Sequence, residues 1–363
     1  MADRKSMPGF EVLSRLAMDS SEWEAAAASF DEAWLWHRWD AVEAYATWQG
    51  TADCSFALVD DSAARRILAL VPLRLVRGRA PFGHLLERLE STGGPAFAPD
   101  LTAGERRNAE RAVADELGRI ARAERAWRID LALPPLAPAY LPERRPAVNP
   151  LIMIGCAESS TQSWIVDLRG HDEASLWRHV DQRVRKAVNR ARRDGVTIRD
   201  VAAADLDSYL RLHAANAARA GLEARPDAYF DAIFGSFLPA GLAFGLCASD
   251  AAGEPLAMHI FAIDKAAALY WTVASTDVAL STGANDLVQW EAMRRFLALG
   301  LERYETGEAF PGLRDGKLKR ISDFKKGFGG ALQPYHRGAI VVRPVVAAMR
   351  DLARALIAAR APT

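Results

Sequence analysis

Ile321-Ser322-Asp323-Phe324-Lys325-Lys326-Gly327-Phe328-Gly329-Gly330 is the stretch from which the rest of the chain is read. Glycine at 327, 329 and 330 suits a backbone that approaches something closely or takes positive φ. Ile321, Phe324 and Phe328 read as anchors, which leaves Lys319, Arg320, Lys325 and Lys326 to face a cleft. From Leu313 to Gly330 the Gly, Arg and Lys content predicts an exposed loop, since a buried helix is not written this way. Composition alone also allows an ordinary turn with surface lysines.

Upstream, the order of elements is informative. Leu242–Ala248, Leu256–Ile263 and Leu269–Ala274 read as a meander of strands, with an Asp250–Pro255 turn between the first two. Asn285 then reads as the cap of a helix to Leu299, stopped by Gly300, with a strand from Arg303 to Thr306. The first half shows the same order. Strands are predicted at Cys54–Val59 and Ile67–Val76, a helix capped by Thr102 and Glu105 runs through Glu124, and Trp127–Leu133 is the next strand. Pro134–Pro150 follows, too proline-rich for helix or central strand. The repeat of order predicts a duplicated α/β lobe, although chance can also produce it in a chain of this size.

Between the halves, Asp172 is a plausible cap for one long helix ending at Gly195. Leu176, Val180, Val184, Ala187, Val188 and Ala191 share one face. The other face carries Arg178, Arg183, Arg185, Lys186, Arg190, Arg192 and Arg193, with only Asp181 and Asp194 to offset them. Like charges at these spacings repel by a few tenths of a kcal/mol each, so an anionic ligand is the natural compensation. A merely solvated face is the plainer reading. Arg183, Lys186 and Arg190 form one stripe, and Arg178, Arg185 and Arg192 another.

Composition narrows the classes. The 46 Lys and Arg balance the 46 Asp and Glu, so no global field draws the chain to DNA or to an anionic membrane. Cys54, Cys156 and Cys247 are far apart, which argues against a disulfide framework or a metal site and fits a reducing, cytoplasmic setting. Met1–Trp23 mixes charged and apolar residues and reads as neither signal nor anchor, and no apolar run reaches the roughly 20 residues that span a bilayer.

The Phe324-Lys325-x-x-Phe328-Gly329 pattern resembles the closing motif of FemAB-type peptidyltransferases. The basic helix ending Arg192-Arg193-Asp194-Gly195-Val196, the Asn285-Asp286-Leu287 helix start and the Tyr304–Gly307 strand are similar to that family's order, over Trp164–Tyr335. The resemblance implies an α/β fold of tandem GNAT-like lobes, two duplicated mixed-sheet domains of the acyl-CoA N-acyltransferase kind. The first would be residues 1–160 completed by 336–363, through Gly338–Val345 and a helix at Val346–Arg360, and the second 161–335. It further implies transfer of an acyl or aminoacyl group, from acyl-CoA or aminoacyl-tRNA as co-substrate rather than a tightly bound cofactor. The acceptor would be an amine or hydroxyl of a cell-envelope or exopolysaccharide precursor, such as a phosphorylated glycan or nucleotide-sugar. Lys325 would sit near the reacting carbonyl with Phe324 beside it, where a fixed cation lowers the barrier by about 3 kcal/mol.

Asp323, Glu308 and His259 are candidates for a general base, although a lone strand histidine is more often a core residue. Arg183, Arg185, Lys186, Arg190, Arg314, Arg320 and Lys326 are expected to hold the anionic reactant, with Tyr270 bordering a pocket. The pyrophosphate loop of acetyl-CoA enzymes survives only as Gly283 in Leu280–Asn285, where Gly283 and Asn285 are left to bind phosphate. A polysaccharide acetyltransferase using acetyl-CoA, and a non-catalytic RNA-binding or scaffold protein of the same fold, are the rival readings.

Overall fold

The computed structural model describes residues 9–48, 50–62, 65–78, 86–221 and 223–360; Met1–Pro8, part of the stretch read as neither signal nor anchor, lies outside them. Contacts divide the chain into two units, Met1–Ser160 with His336–Thr363, and Thr161–Tyr335.

In the first unit, β1 (Phe10–Ser14) and α1 (Ser20–Ser29) precede α2 (Trp39–Ala46), β2 (Thr51–Asp53) and β3 (Phe56–Asp60). The strand expected over Ile67–Val76 is broken at Pro72-Leu73 into β4 (Ile67–Val71) and β5 (Arg74–Val76), because proline cannot donate to a ladder. After β6 (Arg88–Ser91) and β7 (Ala96–Phe97), α3 (Ala103–Ala123) starts at the expected capping box. There the Thr102 hydroxyl accepts from the Glu105 N–H, and the Glu105 carboxylate accepts from the Thr102 N–H at 2.8 Å. β8 (Arg128–Ala132) and the short β9 (Ala157–Glu158) complete this half. Between them the proline-rich segment holds only short 3-10 turns.

The second unit is built on one seven-stranded sheet, with helices packed against it. Its elements are β10 (Thr161–Asp167), α4 (Glu173–His179), α5 (Gln182–Arg193), β11 (Thr197–Asp200), α6 (Leu206–Ala220), α7 (Asp227–Ala232), β12 (Ala243–Ser249), β13 (Pro255–Asp264) and β14 (Ala267–Ser275). Then come α8 (Asp277–Thr282), α9 (Ala284–Ala298), β15 (Arg303–Ala309), α10 (Gly316–Lys326) and β16 (Ala331–Tyr335). The strand order is β11-β12-β13-β14-β15-β10-β16. Val184, Val188 and Ala191 of α5 and Leu287, Trp290, Met293 and Phe296 of α9 bury their apolar faces on Phe261 and Tyr304 of the sheet. The face predicted for the basic helix is therefore the buried one.

Two elements differ from the sequence reading. The single helix from Asp172 is two helices, because Val180 and Asp181 are extended (ψ 135° and 144°) and the Asp181 N–H donates to Gly327 O at 2.9 Å. Arg178 therefore belongs to another helix, and its stripe with Arg185 and Arg192 does not exist. The loop expected from Leu313 onward is helical from Gly316: Lys, Arg and Leu are good helix formers, and Lys319 and Asp323 pair one turn apart. Ile321, read as an anchor, is 36% exposed, while Phe328 is fully buried.

The chain then returns as β17 (Arg337–Val341) and α11 (Pro344–Arg360). β17 enters between β8 and β9, completing the sheet β2-β5-β6-β8-β17-β9 of the first unit beside its smaller sheet β1-β3-β4-β7.

Gly330 seats β16 against β10. A Cβ there would lie 3.0 Å from the Ile165 backbone carbonyl. Gly330→Ala is expected to destabilise the fold by about 1–3 kcal/mol in urea unfolding, the usual cost of overpacking against backbone; an unchanged midpoint contradicts this packing.

Candidate functional site

The sheet opens where the site lies. β14 and β15 run parallel but pair only through Ala267–Leu269 and Arg303–Glu305, although both strands continue beyond. Past that point the edges part. β15 also carries an extra residue at Thr306, since Trp164 faces Gly307 and Ile165 faces Glu305.

Lys325 reaches this irregularity from α10. Its Nζ donates to Glu308 O at 2.9 Å. Burial pushes the ammonium pKa down, opposed by the charges of Glu305 and Glu308. Glu305 is buried and accepts a 2.5 Å hydrogen bond from the Ser163 hydroxyl. Gly307 makes room: its φ is +109°, and a Cβ there would lie 2.8 Å from Lys325 Nζ.

The start of α5 meets the end of α10. A Cβ on Gly327 would lie 2.7 Å from Val184 Cγ2 and 2.9 Å from Arg183 Nη2. Arg183 thus stands beside the last turn of the lysine-bearing helix, and its Nη1 lies 3.7 Å from Asp286 Oδ1 in the first turn of α9. Asp286 is buried, and that oxygen makes no hydrogen bond among the described residues. Burial pushes its pKa up to about 6, against the pull of Arg183 and then Arg190. Arg183 and Arg190 therefore both act on the charge of Asp286 at the start of α9, while Arg192 binds Glu291 farther along that helix at 2.8 Å.

Of the residues singled out in the sequence, the structure brings Lys325, Glu308, Arg183 and Arg190 towards one region of the second unit. Phe324 packs on the core beside Phe328, with ring centroids 5.1 Å apart. Arg185 is half-buried on α5 and Lys186 is exposed. Arg314, Arg320 and Lys326 are exposed and make no ion pair among the described residues.

Asp323 is not in the site. It is an exposed carboxylate held by Lys319 Nζ at 2.6 Å, one helical turn away on the outside of α10. Gly283 has φ +81° and opens α9, but a Cβ there would lie 2.7 Å from Ala187 O; its bare face receives α5, not a phosphate. Asn285 does not cap α9 either. Its side chain turns inward, where Oδ1 accepts from His259 Nε2 at 2.9 Å. Gln289 Nε2 donates to His259 Nδ1 at 3.2 Å, and the Tyr304 hydroxyl donates to Gln289 Oε1. Burial pushes His259 down to about 4, so it is a neutral core residue and not a base. Tyr270 packs on His259 at 5.1 Å between centroids, while Trp271 faces the opposite side, against Tyr229 and Phe237.

Sequence reasoning gave no role to Glu305 or Asp286. Their signal was position alone: one lies two residues before Gly307 in an irregular strand, and the other sits in the first turn of a helix between Asn285 and Leu287.

Two outcomes test this geometry. Gly307→Ala is expected to cost at least about 1 kcal/mol from its positive φ, and part of the loss should vanish in a Lys325→Ala background, where the clashing tip is gone. Urea unfolding of the single and double variants measures it, and strictly additive losses contradict the contact. Asp286 titrates higher when folded than the usual 3.8, so its favourable contribution is complete below that value and is lost as pH rises through about 6. Relative to the native chain, Asp286→Asn should therefore gain about 3 kcal/mol at pH 7 over its value at pH 3.5, the equivalent of a two-unit shift; a pH-independent difference contradicts a buried, protonatable carboxyl.

Residues 178–316 match the family of acetyltransferase (GNAT) domains, a span that includes the basic helix, the parting strands and Asp286 and stops short of Lys325. No curated protein sequence matches the chain. Among solved structures, FemX is similar at a TM-score of 0.64 and 14% identity, over 90% of this chain and 96% of that one. L-PGS from Bacillus licheniformis is similar at 0.56 and 14%, over 94% and 97%. A tandem GNAT protein from the clavulanic acid biosynthesis pathway is similar at 0.53 and 16%, over 92% and 98%. At these identities the likeness is one of fold. The chain has the tandem GNAT-like α/β fold expected from its sequence, and its second unit carries the match to the acetyltransferase (GNAT) domain family.

Proposed function

We propose that this chain moves an acyl or aminoacyl group from an activated ester or thioester to an amine or hydroxyl of a phosphorylated cell-envelope or exopolysaccharide precursor. The observation that carries the reading is the approach of Arg183, with Arg190 behind it, to the end of the helix bearing Lys325. Arginine suits phosphate because its planar fork donates paired hydrogen bonds. Lysine carries three donors, and the bond to Glu308 O leaves two for an oxygen that becomes negative during attack on a carbonyl.

In this reading the attacking amine or hydroxyl adds to the acyl carbon, its proton passes to a carboxylate, and the thiol or alcohol of the donor leaves. Of the three base candidates from sequence, Asp323 is held by Lys319 on the exposed side of α10 and His259 is hydrogen-bonded within the core. Glu308, whose backbone oxygen accepts from Lys325 Nζ and whose charge acts on that ammonium, takes the role, with the buried Glu305 balancing the ammonium. The donor is acyl-CoA or aminoacyl-tRNA. Against the usual pyrophosphate seat stand Gly283, filled by α5, and the carboxyl of Asp286 at the positive end of α9.

Two measurements test the proposal. Lys325→Ala should lower transfer of a labelled acyl group to a nucleotide-sugar about 10²–10³-fold, as for loss of an oxyanion donor, while Arg183→Ala with Arg190→Ala should raise KM more than it lowers kcat. If Lys325→Ala leaves transfer intact the catalytic assignment is wrong, and if the chain binds RNA without any transfer the scaffold reading replaces it. Thermal shift with acetyl-CoA separates the donors: at a hundredfold excess over Kd a true donor stabilises by about 2.7 kcal/mol.

A further inference from the structure

On the helical side of the second unit, away from Lys325 along the chain, α4, α5 and α9 enclose an open cavity of about 310 Å³ lined by Glu173, Ala174, Trp177, Asn189, Arg192 and Trp290. Its apolar wall is an aromatic corner. The rings of Trp177 and Trp290 stand 4.5 Å apart at 58° to one another. Trp290 is almost wholly buried, whereas Trp177, though packed against the core, is only half-buried and keeps part of its indole open at the cavity.

The rim is polar and fixed in place. Arg192 Nη2 donates to Glu291 at 2.8 Å, Arg294 binds Glu291 at 2.7 Å, and Arg294 Nε lies 2.8 Å from Glu173. This chain of two arginines and two glutamates holds Glu173 and Arg192 at the cavity while cancelling in charge. The Asn189 amide, exposed at the rim, makes no hydrogen bond among the described residues.

These features select a ligand chemistry. A neutral rim gives no preference for phosphate, carboxylate or ammonium. Two indoles and one alanine are too little apolar wall for an acyl chain. A carboxylate, an amide and a guanidinium beside an aromatic face suit a molecule with one apolar face and an edge of hydroxyls. The volume is at the small end of ligand sites, which run from about 300 to 1,000 Å³. We infer that this cavity is a binding site for a neutral pyranose unit of a glycan, with the sugar ring stacked on Trp177 and its hydroxyls held by Asn189, Arg192 and Glu173. None of the six lining residues is among the proposed acyl-transfer residues, and the inference does not depend on that chemistry.

The test is titration of the full chain with N-acetylglucosamine and with cellobiose, read by tryptophan fluorescence and by saturation-transfer NMR. Saturable binding is expected, weakened about tenfold in Trp177→Ala, the size of one lost stacking contact. Trp177→Phe should retain most of the affinity. Asn189→Ala, an exposed change that leaves the core untouched, should also weaken binding several-fold, whereas Arg183→Ala with Arg190→Ala should leave it unchanged. Absence of saturation by either sugar, or saturation indifferent to Trp177→Ala and Asn189→Ala, overturns the inference, as does binding of adenosine or inorganic phosphate in preference to the sugars.

Discussion

The seating of Gly327 beneath the start of α5 governs the geometry of the second unit. Because residue 327 has no side chain, Val184 and Arg183 press onto the end of α10, and the Asp181 N–H donates to Gly327 O. That hydrogen bond coincides with the break between α4 and α5. The same contact turns the Arg183 guanidinium towards both the lysine-bearing helix and Asp286. Packing, chain direction and the meeting of cations therefore share one cause, and Gly329, whose Cβ would meet His179 O at 2.8 Å, repeats the device one turn earlier on α4.

Charge at this place is managed by burial more than by pairing. Arg183 and Arg190 face a carboxyl that is largely desolvated and ionises only around pH 6, so even near neutrality a single carboxylate stands against two guanidinium groups. Lys325 is treated in the mirror sense: it is drawn inward, its pKa lowered, and its ammonium tied to a backbone oxygen rather than to a tight ion pair. Groups arranged in this way respond strongly to an incoming charge, because little solvent stands between them.

Much of this was legible in the sequence, and the exceptions have physical causes. The buried arc of α5, the Thr102–Glu105 capping box and the meander β12–β14 follow from periodicity and turn chemistry, while the return of the chain after Tyr335 was legible only through the family resemblance. The break at Val180-Asp181 was hidden because apolar spacing continues across it; only the tertiary bond to Gly327 O reveals it. The helix α10 was masked by the glycines of its stretch, of which Gly316 opens it and Gly327, Gly329 and Gly330 follow it, so none interrupts it. Asn285 was read as a cap because asparagine usually is one, yet the buried His259 made an inward hydrogen bond available. Asp286 and Glu305 escaped notice since a carboxylate's burial depends on neighbours far away in the chain, and no local pattern encodes it.

The central claim is that Arg183 and Lys325 respond to one negatively charged reactant. NMR of the side-chain nitrogens during titration with a nucleotide-sugar such as UDP-N-acetylglucosamine tests it most directly. The account predicts that Arg183 Nε and Lys325 Nζ shift along the same saturation curve, and that the Lys325 response disappears in Arg183→Ala. Shifts confined to one of the two, or to exposed Arg314 and Lys326, would contradict it.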